Sequence, residues 1–405
     1  MEAYVVIGGG LAGLTAANAL AGQGNKVTLL EQSGHLGGRA STQKENGYSL
    51  NLGPHALFRG GRAARTFREW RIPFSGGYPP TGPRSYFVRE SRFYPMIANL
   101  RGLLATRMFN VREKMQVANL LRLFTAAQAG PGESMAEWLD RHHLSLPRVR
   151  EFAATAIRIS TFAIDLDHLS APVALRQIAS ALKANVLYLD DGWQTLVDGL
   201  AARARSLGVD IRCGEPVGRL DSVDATGIVL AVGPAEVQKL TGIPLPAGRA
   251  VYMASLDLAL DGMPGDGPNT AFAVDRPLYF STHSASARLG PKGGRMVHVA
   301  KYLGSAPQDS TAVRAELEEY ATLVLPRWRQ YTKFVRFLPQ LMVTSTMPTP
   351  AQRPNVDILP SLSHGARRVT IAGDWVGPEG MLADAAVASA LDAARFIERR
   401  TAAAA

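Results

Sequence analysis

The sequence predicts an α/β protein, a Rossmann-like fold interrupted by an inserted α+β domain of antiparallel sheet plus helices. Three observations predict it. Tyr4–Glu31 has the strand, glycine turn, helix and strand order of a βαβ unit. Val369–Phe396, far along the chain, again runs strand, Gly-Asp turn and helix. Between them the pattern changes to long helical periods and then to strand-like runs, as expected of an insertion.

The βαβ unit begins with an apolar strand, Tyr4–Ile7, followed by Gly8, Gly10 and Gly13 in the order G-x-G-x-x-G. Gly8 permits a tight turn, Gly10 lets backbone approach a pyrophosphate, and Gly13 lets the helix pack closely on the strands. Leu11, Ala12 and their neighbours open that helix, whose free N–H groups favour an anion. The second strand, Lys26–Leu30, ends on Glu31, where a carboxylate can accept the hydroxyls of a ribose. Past it, Gly37-Gly38-Arg39 suits a second phosphate contact, since arginine can fork onto phosphate oxygens.

Gly8-x-Gly10-x-x-Gly13, Glu31 and Gly37-Gly38-Arg39 together resemble the opening of the FAD-dependent amine oxidase, phytoene desaturase and protoporphyrinogen oxidase superfamily. The resemblance implies FAD as cofactor, with Glu31 on the ribose and the Gly-Gly-Arg segment along the pyrophosphate. It also places Gly53, Pro54 and His55, after the strand Tyr48–Leu52, beside the flavin ring. His55 is read either as a residue near the redox centre or as a histidine in a polar turn.

Gly60–Gly77 is arginine-rich, Ser75–Pro83 is a Gly/Pro loop, and Ser85–Tyr94 suits a hairpin. Pro95–Gln128 reads as helix with Leu100, Leu103, Leu104, Met108 and Met115 among Arg101, Arg107, Arg112, Lys114 and Arg122. Such a segment is either a helix with one core face or a peripheral membrane contact. Glu133–His143, Leu146–Ala163 and Ala171–Ala184 continue as helices. Asp191 is expected to cap a helix with Gln194 at its third position, the helix ending at Gly208. Short strands are expected at Val209–Arg212, Val217–Leu220 and Gly227–Val232, with Val217 meeting the adenine edge by resemblance. Ala250–Leu260, Leu278–Ser281, Met296–Leu303 and Val335–Leu341 read as strands and Ser310–Leu325 as helix, forming a lid over the flavin.

In the closing stretch, Val369–Ala372 leads to Gly373-Asp374, and a helix is expected from Gly380. The resemblance gives Asp374 a ribityl or pyrophosphate contact and aims the helix, with Met381 and Leu382 in its first turn, at the flavin. Residues 401–405 are expected to fray. The parts assemble as 1–60, 186–248 and 361–405 for the FAD-binding fold, with 61–185 a mainly helical substrate domain and 249–360 its sheet and helix.

Composition bounds the function. At 405 residues, with 46% hydrophobic and 19% charged residues, the chain can bury a sizeable core. Cys213 is the single cysteine, so no internal disulfide forms; it is read as a packing residue. The first strand starts by residue 4, leaving no room for a leader peptide, and a cytoplasmic location is expected. The net charge of +10 comes from scattered arginines without a recognition-helix pattern, which argues against nucleic acid. No metal-ligand motif is present, and His142-His143 are read as surface residues. There is no second G-x-G-x-x-G, hence no separate NAD(P)H domain.

The expected function is removal of a hydride from a bulky apolar small molecule, electrons passing to oxygen or a quinone. Met381 stands where amine oxidases of the superfamily place one ring of an aromatic cage, so a desaturase-like reaction is favoured. Tyr279, His283 and His55 are the polar candidates near the flavin. An amine substrate gripped through Trp375 and Glu379 is the alternative. A non-redox FAD isomerase and a non-enzymatic carrier, resembling the Rab GDP-dissociation inhibitors, are further alternatives.

Overall fold

The computed structural model describes residues 3–126, 128–245, 248–262, 267–304, 308–351, 354–357 and 368–402. A five-stranded parallel sheet carries the N-terminal motif. Its order is Asp210–Cys213, Lys26–Glu31, Ala3–Ile7, Gly227–Leu230 and Arg368–Ile371. Val6, Leu29, Ile228, Val229 and Ile371 are fully buried, as expected of parallel strands covered on both faces. The helix Leu11–Ala21 packs on one face beside the closing helix Leu382–Ala402. Alanines 16, 17, 390, 393 and 394 are all buried, so the two helices approach closely. Ligands bind at the carboxyl ends of such strands, and here those ends carry Gly8, Glu31 and Gly373.

The second body is a seven-stranded sheet ordered Thr332–Thr344, Val251–Leu260, Arg295–Leu303, Leu278–Thr282, Thr270–Ala273, Ser85–Arg89 and Arg92–Pro95. It is antiparallel except where Thr270–Ala273 runs parallel to Ser85–Arg89. The helix Ser310–Val324 covers one face of this sheet. The helical layer of Leu100–Ala105, Val111–Ala126, Met135–Arg141, Pro147–Thr161 and Ala171–Ala184 covers the other.

Several expectations are corrected. The run Pro95–Gln128 is two helices, because Thr106–Asn110 makes a turn in which the Thr106 hydroxyl accepts the Met108 N–H. Val217–Leu220 is not a strand; Leu220–Ser222 is a 3-10 turn. Val186–Leu189 is an unforeseen strand that pairs with Leu57–Phe58 and Gly76–Gly77. Asp191 does not cap a helix. It has φ +60° and binds Arg288, and the helix Gln194–Ser206 is instead met at its start by two distant side chains. Asn51 Oδ1 accepts the Trp193 N–H at 3.0 Å, and Thr42 Oγ1 accepts the Gln194 N–H at 3.0 Å. Cys213 is exposed, not packed. His142 is half-buried with its ring edge-on to Trp138, whereas His143 is exposed. The closing helix is continuous to Ala402, past the start of the expected fraying; 358–367 and 403–405 lie outside the described residues. Among the described residues no helix is long and apolar enough to cross a membrane.

Candidate functional site

A cavity of about 620 Å³ opens at the carboxyl ends of the parallel strands and extends to the larger sheet. Its first end is built mostly from backbone. Gly8, Gly10, Leu11 and Ala12 line it, together with Gly37 and Gly38. Gly8 has φ +109°, and a Cβ there would lie 2.4 Å from the Ala231 carbonyl oxygen. Gly13 lies behind the wall, where a Cβ would come within 1.8 Å of the Gly8 carbonyl oxygen. Gly10 differs, because a Cβ there would meet nothing closer than the Gly37 carbonyl oxygen at 4.0 Å. The helix beginning at Leu11 has no side-chain cap, so its first N–H groups are left for an anion.

Glu31 lines this end and is already engaged. Its Oε2 accepts the Gly9 N–H at 2.6 Å, and Oε1 accepts the Ser33 N–H and hydroxyl at 2.8 Å each. The carboxylate is thereby fixed in orientation, and each oxygen retains lone-pair capacity for a ribose hydroxyl. Val217 lines the same end, with Glu215 and Glu236, which the sequence reading missed. An uncapped helix start, an open surface at Gly10 and a prearranged acid fit the adenosine and pyrophosphate of FAD.

In the middle of the cavity Arg39 lines the wall together with Asp374. Its guanidinium forks onto Asp374, with Nη1 2.8 Å from Oδ2 and Nη2 2.7 Å from Oδ1, while Nη1 also donates to the Val343 carbonyl at 2.8 Å. Burial opposes the charge on Arg39, but the Asp374 carboxylate more than offsets it and raises the guanidinium pKa. Asp374 is buried and Arg39 is half-exposed. The pair clasps the opening loop to the closing motif across the cavity wall.

The other end is apolar. Phe58, Phe162, Met253, Leu341 and Leu382 line it, with Pro54 and His55. Phe162 takes φ +62° at the end of helix Pro147–Thr161, which turns it out of the helix. The closing helix starts at Leu382, not at Gly380, because Gly380 and Leu382 have φ +68° and +55°. Met381 is buried behind the wall and does not line the cavity; Leu382 and Ala383 do. Gly53, with φ +77°, also lies outside the lining.

His55 sits between two carbonyls, Nδ1 at 3.1 Å from Gly53 O and Nε2 at 3.1 Å from Arg39 O, with its ring edge-on to Trp193. Burial lowers its pKa even though both carbonyls favour the protonated ring; His298 and Arg39 oppose the charge too. Asp384, absent from the sequence reading, lines the cavity and accepts the Ala63 N–H at 2.8 Å, so it caps the helix Arg62–Glu69 from outside. Burial pushes this carboxyl up to about 6. An acid at the third position of a helix was the signal that could have drawn attention to it.

Tyr279 and His283 do not reach the cavity. They lie in a buried chain behind it. Asp257 accepts from His298 Nδ1 at 2.7 Å, from the Ser255 hydroxyl at 2.7 Å and from Arg336 Nε at 3.0 Å. His298 packs edge-on to His283, and His283 Nε2 lies 3.0 Å from the Tyr279 hydroxyl and stacks on Tyr188. Arg336 also donates to the Asn51 carbonyl, so the chain braces the segment leading to His55. His298 and Arg336 hold Asp257 below the usual carboxylate range against its burial. Burial lowers His283 well below the usual histidine value and raises Tyr279 well above the usual tyrosine value.

Of the two residues expected to grip an amine, Trp375 lines the cavity and Glu379 does not. Trp375 is buried, and its Nε1 donates to the Val232 carbonyl at 3.1 Å, beside the first strands. Glu379 is half-exposed, lies outside the lining and faces Arg65 at 3.8 Å.

The family model for flavin-containing amine oxidoreductases matches residues 11–251. An L-amino-acid oxidase from Bungarus fasciatus is 38% identical over 91 residues, covering 22% of this chain and 18% of that protein. The matched segment thus spans under one fifth of that relative's length. An oxidoreductase structure from Methanosarcina mazei superposes with a TM-score of 0.73 at 16% identity, covering 96% of this chain and 99% of that one. Cyclohexylamine oxidase from Brevibacterium oxydans gives 0.65 at 15% identity, covering 99% of each chain. At such identities the structural likeness establishes the fold.

Proposed function

The chain belongs to the flavin-containing amine oxidoreductases, and within that family we propose an FAD-dependent enzyme that dehydrogenates a bulky, apolar organic molecule. The observation that carries this reading is the wall formed by Phe58, Phe162, Met253, Leu341 and Leu382. Apolar contact of this kind holds a substrate by area and shape, not by charge. Of the pair available for an amine, Glu379 lies outside the cavity and Trp375, on its wall, commits its Nε1–H to the Val232 carbonyl.

When bound, FAD supplies the hydride acceptor and passes the electrons on to oxygen or a quinone. The chain's own residues supply placement. Glu31 and the Leu11 helix start hold the nucleotide, and the Arg39–Asp374 clasp closes the loop beside it. The closing helix starts at the cavity wall with Leu382 and Ala383, so the positive end of its dipole favours negative charge there. His55 carries no charge at neutral pH, since burial lowers its pKa. It therefore adds no cation to an apolar pocket.

Oxidation of an amine is the second reading. The family description and the names of the relatives favour it, as does the Asp384 carboxyl on the cavity wall. Anaerobic mixing of purified holoprotein with a substrate panel separates the readings. Bleaching of the flavin spectrum by polyene or hydroaromatic substrates, but not by simple primary amines or L-amino acids, is expected. Rapid bleaching by amines overturns the apolar reading. Turnover without any electron acceptor moves the protein to the isomerases.

A further inference from the structure

The exposed large apolar side chains are unevenly distributed. Val111 is 75% exposed, Leu100 65%, Leu104 63% and Met115 63%, and these four fall within two consecutive helices. Leu100 and Leu104 are one turn apart on Leu100–Ala105, and Val111 and Met115 are one turn apart on Val111–Ala126. The helices are tied together, since Lys114 Nζ donates to the Leu104 carbonyl at 2.5 Å. The opposite face of the longer helix holds Val117, Leu120 and Phe124 in the core. The fold is therefore satisfied without the outer residues, which remain in water.

Charge frames the same surface. Between residues 92 and 126 there are six basic residues, Arg92, Arg101, Arg107, Arg112, Lys114 and Arg122, against one acid. That acid, Glu113, is buried, caps its own helix through the Asn110 N–H and faces Arg148 at 4.0 Å. No carboxylate of this segment is exposed to balance the arginines. Arg122 lies three turns beyond Val111 on the same face and is exposed.

An apolar strip with a cationic border has the chemistry of a segment that lies in the headgroup region of a bilayer. The leucines, valine and methionine reach the acyl boundary while arginines stay at the level of lipid phosphates. A site for an acidic protein would show the cations without the aliphatic strip, and a self-association patch would not gain from a border of one charge. We propose that the surface formed by Leu100–Ala105 and the first two turns of Val111–Ala126 docks this protein peripherally on an anionic lipid surface. This docking is independent of which substrate the cavity takes.

Full-length holoprotein sedimented with vesicles tests it. Vesicles of phosphatidylcholine with about one third phosphatidylglycerol, the composition chosen so that basic residues contribute, should carry the protein down at low salt. Pure phosphatidylcholine vesicles should bind it at least tenfold more weakly. The double variant Leu104→Glu/Val111→Glu should lose at least tenfold in binding to the anionic vesicles, as should Arg107→Glu/Arg112→Glu. Unchanged flavin content and melting temperature certify that both variants are folded; if one unfolds, the other carries the test. Equal binding of parent and folded variants, or no binding of the parent, overturns the proposal. So does a concentration-dependent dimer of the parent that Leu104→Glu/Val111→Glu disperses, since a second copy would then cover the strip.

Discussion

The two ends of the cavity are built on different principles. The nucleotide end is backbone: Gly8 and Gly13 with no room for Cβ, Gly10 open to the cavity, an uncapped helix start, and one acid fixed by the Gly9 N–H. Its glycines, helix start and acid lie within forty residues of one another in sequence, with Glu215, Val217 and Glu236 added from a later segment. The substrate end is side chain. Phe58, Phe162, Met253, Leu341 and Leu382 come from five separate segments, and the segment that carries His55 is braced by the buried Asp257 chain. A backbone site tolerates little variation and recognises one group. A site of scattered apolar side chains can change its substrate with its residues while the first end stays as it is.

Removing the brace is the largest way to break this contrast. Asp257→Ala leaves His298 and Arg336 buried without their carboxylate, at an expected cost of about 3–5 kcal/mol. Urea unfolding measures that loss. A cost under about 1 kcal/mol would mean that the substrate end stands without its polar support.

Asp384 tests the boundary between the ends. Its carboxyl is near 3.8 when unfolded and about 6 in the fold, so the folded state binds the proton more tightly. The associated stability is present below pH 3.8 and lost as pH rises through 6. Asp384→Asn keeps an acceptor for the Ala63 N–H and should be the more stable form at pH 8 by up to roughly 3 kcal/mol. Melting temperatures of both proteins from pH 4 to 8 should converge at the acid end. Parallel curves would show that Asp384 does not titrate in this window.

Smaller effects sharpen the nucleotide end. Glu31→Gln should weaken FAD binding by roughly 1.5–3 kcal/mol, the worth of a hydrogen bond to a charged group. A fluorescence titration of apoprotein with FAD reads it, and unchanged affinity would remove Glu31 from the ribose site. Gly10→Ala should change apoprotein stability by no more than about 1 kcal/mol, since its Cβ meets open space in a glycine-tolerant turn, while FAD retention falls. Loss of stability without loss of FAD would reverse the assignment of Gly10.

Legibility in the sequence followed the same division. The βαβ unit could be read because its strand, glycines, helix and acid are consecutive. Met381 was misjudged because its neighbours in sequence are not its neighbours in space. Left-handed backbone at Gly380 and Leu382 moves the helix start by two residues, and that shift puts Leu382 on the cavity in place of Met381. Asp191 looked like a cap because the true caps, Thr42 and Asn51, are more than 140 residues away. Tyr279 and His283 had the right chemistry for a flavin site, but strand pairing turns them towards His298 and Tyr188, beneath the surface.

The Arg39–Asp374 clasp has a consequence for how the protein is made. Its partners are 335 residues apart, and the strand Arg368–Ile371 that precedes Asp374 completes the edge of the parallel sheet. At about 5–20 residues per second, a ribosome reaches Asp374 tens of seconds after Arg39. Through that interval Arg39 has no carboxylate opposite it and the sheet lacks its last strand. A nascent chain stalled before residue 368 lacks both the clasp and the edge strand, and should therefore emerge colourless even where flavin is plentiful.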